Sequence, residues 1–235
     1  MEKIIKAVCG AETVEDSLFD FLYNNCSEQR RIRASKFYRK EDAYRSLIAE
    51  SLLMYCLNHE GIAGEMNICI DSETGKPFLE NSSLHFNITH SGDWVGCVID
   101  DSETGIDIEK IREMDKGIAN RFFSDSEKKM LFGCNNKEKF NDLFFEMWVL
   151  KESYIKAIGK GLSCPLNSFS VLPYDNQKID LVLHKETLPH KYFRLYDISS
   201  TYKCAICSSD EKSPDSVDII SVEDLVELIQ NKENN

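Results

Sequence analysis

Gly105-Ile106-Asp107-Ile108-Glu109 is the stretch on which the reading of this chain turns. Apolar and acidic residues alternate strictly, the mark of a β-strand with one face in a core. Residues two apart in a strand share a face, roughly 6.6 Å apart along the chain. Ile106 and Ile108 therefore anchor one face, and Asp107 and Glu109 project together from the other. The strand also stands where a helix-then-strands order begins for the second time.

The first round lies upstream. Residues 41–57 read as a helix, with Leu47, Ile48, Ser51, Leu52 and Tyr55 on a stripe of helical spacing. Gly61 and Gly64 follow as stop signals. After a turn at Ser72-Glu73-Thr74-Gly75-Lys76-Pro77, residues 84–89 alternate like a strand, and residues 94–99 are apolar and β-rich. His90-Ser91-Gly92-Asp93 between them is turn chemistry, which predicts a β-hairpin with His90 at its tip.

The second round lies downstream. Ser124-Asp125-Ser126-Glu127 has the form of a capping box, so a helix starts there. Residues 140–158 form a long helix that ends near Gly159-Lys160-Gly161. Several strands follow between Phe169 and Cys207, then a short helix over 222–229. The fold class expected is α+β: two similar α/β halves related by a pseudo-twofold, with the active site in the cleft between them. The halves are residues 1–103 and 104–225, and 226–235 is a frayed tail.

Composition narrows the function. Of 235 residues, 42% are hydrophobic, which supports a buried core. No apolar run approaches the ~18–20 residues of a membrane span. The first residues are too polar for a secretory signal, so a soluble cytoplasmic protein is expected. Nine cysteines, odd and scattered, do not form a secreted disulfide framework. Cys204 and Cys207 sit three apart in a predicted strand, on opposite faces, and read as reduced core thiols.

The net charge of −12 disfavours nucleic acid as a partner. One segment runs against it: Arg30, Arg31, Arg33, Lys36, Arg39 and Lys40 fall close together, with Arg45 beyond. Such a patch fits a small polyanion, an acidic partner or a solvated helix face.

Paired carboxylates repel unless water or a cation screens them. Mg²⁺ typically takes one or two carboxylates together with phosphate oxygens. An exposed edge strand with two solvated acids is the plainer alternative. The helix over 140–158 adds a second group. Glu152 and Lys156 are four apart and share a face. Trp148 and Ile155 flank them, so this face reads as a cleft wall rather than a solvated surface. There Glu152 can ligate a metal or accept a proton, and Lys156 can neutralise a phosphate.

Taken in order, the segments Ser35–Arg45, Gly75-Lys76-Pro77, Phe86-Asn87-Ile88-Thr89-His90-Ser91, Gly105-Ile106-Asp107-Ile108-Glu109, Arg121-Phe122-Phe123-Ser124 and Trp148-Val149-Leu150-Lys151-Glu152-Ser153-Tyr154-Ile155-Lys156 resemble the 4′-phosphopantetheinyl transferase superfamily. The resemblance runs from about Arg30 to Leu225. It is strongest to the larger single-chain type that activates surfactin synthetase and other carriers of peptide and polyketide synthesis.

The resemblance implies a Mg²⁺-dependent transfer of the phosphopantetheine arm of coenzyme A. The acceptor is a serine of an apo-carrier protein, acyl, peptidyl or aryl, and 3′,5′-ADP is released. It implies metal ligands Asp107, Glu109 and Glu152, with Glu152, Lys156 and Asp107 catalytic. Coenzyme A would meet Arg45, Thr74, Gly75, Lys76, Pro77, Thr89, His90, Ser91, Asp107 and Lys156. Arg45 and His90 match positions for its 3′-phosphate.

Two family lysines for that phosphate fall at Gln29 and Ile32 here, and Arg30, Arg31 or Arg33 can replace them. Glu127 matches a family acid, but its capping role already explains it. Residues 112–123 are the expected carrier-docking segment. No membrane partner is implied, and a cleft complete within one chain predicts a monomer.

Two rival readings use the same residues. A D…E-x-K nuclease also needs acids and a lysine, but here Glu109 abuts Lys110 on an acidic chain. A carrier-binding module without chemistry would not need all three acids and Lys156.

Overall fold

The computed structural model describes residues 3–59, 67–174, 179–183 and 189–233. Strand β1 (Ile4–Cys9) leads into helices α1 (Asp16–Asn25), α2 (Glu28–Ala34) and α3 (Lys40–His59). A short ladder of β2 (Ile68–Ile70) and β3 (Pro77–Leu79) precedes the hairpin β4 (His85–Ser91) and β5 (Trp94–Asp100). The same order then repeats. It runs β6 (Thr104–Lys110), α4 (Lys116–Phe122), α5 (Asp125–Phe132), α6 (Lys137–Ile158), a ladder of β7 (Phe169–Pro173) and β8 (Ile179–Leu183), and the hairpin β9 (Tyr192–Tyr196) and β10 (Tyr202–Ser208). Strand β11 (Asp218–Ser221) and helix α7 (Val222–Glu233) follow.

The two sheets repeat one plan. The first is ordered β11-β1-β5-β4 and the second β6-β10-β9. In each, the half's first strand lies antiparallel to its last, with the hairpin partner outside. Period-two patterning then sorts the side chains. Val95, Cys97 and Ile99 of β5 face helices α1, α3 and α7, while Trp94 and Val98 face the second sheet. Ile106 and Ile108 meet them across that central layer, and each buried side chain is worth roughly 1.5–3 kcal/mol. On the far face of the second sheet, Ala205 and Cys207 pack under α6. The mixed α/β architecture is thus four layers, helix–sheet–sheet–helix.

Two glycines let the layers approach. A Cβ on Gly96 would stand 2.8 Å from Ile108 Cδ1. A Cβ on Gly105 would stand 2.3 Å from the Ser153 carbonyl and 2.5 Å from the Ala157 amide nitrogen. Helix α6 therefore rests its backbone directly on β6.

Local signals are borne out at several points. Ser124 and Glu127 form the reciprocal capping box that starts α5. Helix α6 stops at Gly159, which takes a left-handed φ of 67°. It starts before residue 140 because Asn136 caps it, accepting from the Lys139 amide. Cys204 and Cys207 lie in different clusters on opposite faces of β10, and both are free thiols. Gly61 and Gly64, the stop signals expected after α3, lie outside the described residues.

Two expectations are corrected. His90 is not at the hairpin tip. It lies within β4 opposite Val95, and the turn is Gly92-Asp93, with Gly92 at φ 54°. The tail expected to fray from 226 is helical through Glu233, because Val226 is buried and Ile229 packs on the first core. Strand β11 pairs parallel with β1, so this segment returns to the first sheet. Among the described residues, no helix is long and apolar enough to cross a membrane.

Gly105→Ala places a methyl against main-chain atoms that cannot swing aside. The expected cost is about 1–3 kcal/mol, read as a lower urea midpoint with an unchanged slope.

Candidate active site

The two sheets meet edge to edge at β4 and β6 without a backbone ladder between them. Side chains replace it. Asn87 Oδ1 accepts from the Ile106 amide at 2.9 Å, Thr89 Oγ1 from Ile108 at 3.4 Å, and Ser91 Oγ from Lys110 at 3.3 Å. Each is two residues from the next, so one face of β4 supplies all three. An edge strand's free N–H groups are satisfied in this way.

The same hydroxyls orient the acidic pair. Thr89 donates to Asp107 Oδ1 at 3.1 Å, and Ser91 donates to Glu109 Oε2 at 2.9 Å. Lys156 reaches across from α6. Its Nζ lies 2.6 Å from Asp107 Oδ1, 3.1 Å from Thr89 Oγ1 and 3.1 Å from the Ile106 carbonyl. Asp107 Oδ2 is buried and has no hydrogen-bond partner among the described residues. One oxygen of the carboxylate is thus tied and the other is left without a donor.

Electrostatics at this point are in conflict. Burial pushes the Asp107 carboxyl above its ordinary value, against the pull of Lys156. Burial and the Asp107 charge push Glu109 up. Burial, Asp107 and Glu109 push Glu152 up as well. Three acids share one neighbourhood with Lys156. As the side chains stand, no group of three or more His, Cys, Asp or Glu among the described residues converges tightly enough to hold a metal. Asp107 is engaged by Lys156 and Thr89, and Glu109 by Ser91. The donor set nevertheless suits a hard divalent cation: carboxylate oxygens, mutually repelling, one of them a buried oxygen without a donor.

Two cavities meet at this cluster. One, of about 410 Å³, is lined by Thr89, His90, Asp107, Glu109 and Trp148 together with Glu152 and Lys156. The other, of about 480 Å³, has walls from both rounds of the fold. The Thr74–Pro77 turn and Asn87 form one side, and Phe122, Ile155 and the Cys164–Asn167 segment form the other. Glu152 and Lys156 line both.

The remaining sequence-predicted residues fall as follows. Thr74 and Gly75 are shaped by Asp71, whose carboxylate accepts from the Thr74 amide and hydroxyl. Gly75 needs its φ of 72° to turn the chain. Lys76 is not free: its Nζ donates to the carbonyls of Ala157 and Thr104. Arg45 donates to the Gly92 carbonyl at 3.1 Å and pairs with Asp42.

His90 presents an exposed edge. Crowding by protein, and then the charges of Arg45, Lys156 and Arg33, hold its imidazole below its ordinary value. Of the three candidate arginines, Arg30 is taken by Glu50 and Ser46, and Arg31 donates to the Cys26 carbonyl. Arg33 is exposed with no side-chain partner among the described residues.

Several residues here have roles that the motifs did not assign. Asn87 lines the larger cavity, and the polar stripe Asn87-Thr89-Ser91 was its signal. Cys164–Asn167 carries no motif and enters only because α6 turns back after Gly159. Lys151 and Glu127 form an ion pair at 2.7 Å with both side chains 0% exposed. Burial lowers Lys151 to about 8. The pair also ties β7 to α6, through the Phe169 carbonyl and the Val171 amide.

Comparison with known proteins gives a consistent result. Residues 14–101 match the family model for the N-terminal part of 4′-phosphopantetheinyl transferases, and residues 103–207 match that of the 4′-phosphopantetheinyl transferase superfamily. The chain is 36% identical over 209 residues to the 4′-phosphopantetheinyl transferase ffp of Bacillus subtilis, covering 88% of this chain and 92% of the relative. It is 36% identical over 202 residues to the transferase Sfp of Bacillus subtilis strain 168, covering 85% and 89%. With the transferase gsp of Aneurinibacillus migulanus the identity is 37% over 198 residues, covering 83% and 81%.

The raised carboxyl at Glu109 has a testable sign. A folded-state value above the unfolded one means stability falls as pH rises through that window. The penalty is complete above the folded value and absent below the ordinary glutamate range. Glu109→Gln, which keeps an acceptor for Ser91, is therefore expected to raise the melting temperature at pH 7–8. The gain should shrink as pH falls toward 4 in thermal melts, and a lowered melting temperature at pH 8 contradicts this account.

Proposed function

The chain belongs to the 4′-phosphopantetheinyl transferase superfamily and is a transferase; on that premise we propose that it moves the phosphopantetheine arm of coenzyme A onto a serine of an apo-carrier protein and releases 3′,5′-ADP. The observation that carries this reading is the Lys156–Asp107 contact at 2.6 Å, where the two cavities meet, with Asp107 Oδ2 unpartnered beside it. A buried oxygen without a donor, two further acids and a lysine are what a pyrophosphate and its counter-ion require.

The chemistry is one phosphoryl-group transfer. The carrier serine oxygen attacks the β-phosphorus of coenzyme A, a new oxygen–phosphorus bond forms, and the pyrophosphate bond to 3′,5′-ADP breaks. Asp107, Glu109 and Glu152 would hold Mg²⁺, which supplies a Lewis acid for the pyrophosphate oxygens. Lys156 neutralises negative charge as it moves to the leaving group. Glu152 accepts the serine proton, directly or through water. Thr89 and Ser91 hold the two strand acids in register. Trp148 and Phe122 wall the site against bulk water.

The nucleotide end sits toward the first half in this reading. The Thr74–Pro77 turn flanks the adenine. His90, Arg45 and Arg33 meet the 3′-phosphate, because Arg30 and Arg31 are already engaged. A phosphate there offsets the cations that add to the effect of burial in holding His90 down. Residues 112–123 dock the carrier in this reading, since Arg112 lies beside Glu109 at 3.8 Å. Both cavity walls come from one chain, which favours a monomer as the working unit, and the cytoplasm is the compartment this reading assigns to it.

Asp107→Ala, incubated with coenzyme A, Mg²⁺ and an apo-carrier, is expected to lose transfer by about 10²-fold or more, read as the mass gain of the carrier. Full transfer by this variant overturns the assignment. Arg33→Ala is expected to raise KM for coenzyme A about tenfold while leaving KM for dephospho-coenzyme A unchanged. A panel of acyl, peptidyl and aryl carriers identifies the partner by relative kcat/KM.

A further inference from the structure

Lys76 stands in the wall of the larger cavity, where a lysine invites assignment to a phosphate. Its hydrogen bonds point elsewhere. Nζ donates to the Ala157 carbonyl at 3.0 Å and to the Thr104 carbonyl at 3.3 Å. Ala157 lies in the last turn of α6, where carbonyls have no partner within the helix. Thr104 is the first residue of β6. One ammonium therefore ties the end of α6 to the start of β6, from a turn that belongs to neither.

Those two ends carry the reacting charges. Lys156 is the residue before Ala157, and Asp107 is three residues after Thr104. The backbone contact at Gly105 lies at the same level, against Ser153 and Ala157. The stem of Lys76 also packs on the helix stop, since a Cβ on Gly159 would stand 3.3 Å from its Cδ. The turn that holds Lys76 is itself stiff: Asp71 accepts from the Thr74 amide at 2.7 Å, and the Asp71 amide donates to the Lys76 carbonyl at 2.9 Å. A ligand seated on this turn presses on the element that sets α6 against β6.

We propose that Lys76 is a positioning residue: by bonding the Ala157 and Thr104 carbonyls it fixes α6 on β6, and so holds Lys156 against Asp107 in the transfer reaction. This rests on the transfer reading above. It changes the role of Lys76 from a ligand contact to a clip between two catalytic elements. Two of the three N–H donors of the ammonium go to these carbonyls, so a phosphate could claim only the third without breaking the clip. Misplacement of a catalytic group by about 1 Å can cost on the order of 10²-fold in rate.

The test separates a clip from a ligand contact. Lys76→Met keeps the stem and removes the donors. With coenzyme A, Mg²⁺ and saturating apo-carrier, kcat is expected to fall about ten- to a hundredfold while KM for coenzyme A stays within about twofold. Amide exchange in the last turn of α6 should quicken in the same variant. Lys76→Gln restores a donor without a charge and should recover part of kcat, because carbonyls need the hydrogen and not the charge.

A rise in KM at unchanged kcat, with Gln as poor as Met, assigns Lys76 to the ligand and overturns the proposal. So does an unchanged kcat in Lys76→Met. Should the Met variant not fold, the same split in Lys76→Gln decides, with reduced kcat at wild-type KM supporting the clip. A wild-type chain that transfers nothing overturns the transfer reading itself, an outcome distinct from a variant that keeps its kcat.

Discussion

Three hydroxyl and amide side chains on one face of β4 join the two halves of this protein, and the site depends on them. Asn87, Thr89 and Ser91 accept from the amides of Ile106, Ile108 and Lys110, where a continuous sheet would use carbonyls. A backbone ladder would draw the strands to about 4.8 Å and leave no opening between them. Side-chain rungs hold them farther apart and still satisfy the exposed edge of β6. The rungs also have hydrogens to give, and two of them go to Asp107 and Glu109. The same atoms that close the molecule thus aim its acids.

The acids are held at a cost to the fold. Burial raises Asp107, Glu109 and Glu152 alike, the charge of Asp107 adds to the rise at the other two, and Lys156 offsets only part of this. A core built for stability alone would not place three carboxylates beside one lysine. Elsewhere the chain handles buried charge differently. Lys151 and Glu127 are fully enclosed, matched one to one, and every remaining contact goes to a backbone partner or an aromatic face. The contrast between the saturated pair and the unsaturated cluster, two turns or less apart on α6, separates structural from chemical use of charge.

Repetition explains much of the rest. The order of strand, three helices, a short ladder and a hairpin occurs twice, and each round builds a sheet on one plan. The rounds then diverge. The first takes β11 and α7 onto its sheet and completes a large core. The second leaves one edge of β6 free to face β4. The site forms at that edge because it is the place where one round has no covering strand.

Much of this was legible in the residues. Alternation over Gly105–Glu109 set Ile106 and Ile108 inward and the acids together, because a strand's period is two whatever surrounds it. The spacing of Glu152 and Lys156, the capping box at Ser124 and the glycine stop at 159 are equally local rules. The displacement of His90 into β4 was not legible, since one turn residue more or fewer changes no local preference. Nor was the helical end of the chain, whose polar sequence is held by packing of Val226 and Ile229 on a distant core. The sequence by itself determined which groups carry charge and which face of each element they share. Only the tertiary structure decided which charges meet: that Lys156 finds Asp107, that Arg30 is spent on Glu50 while Arg33 has no side-chain partner among the described residues, and that Lys76 points at carbonyls. Those choices depend on distances between segments far apart in the chain, and no local periodicity encodes a distance of that kind.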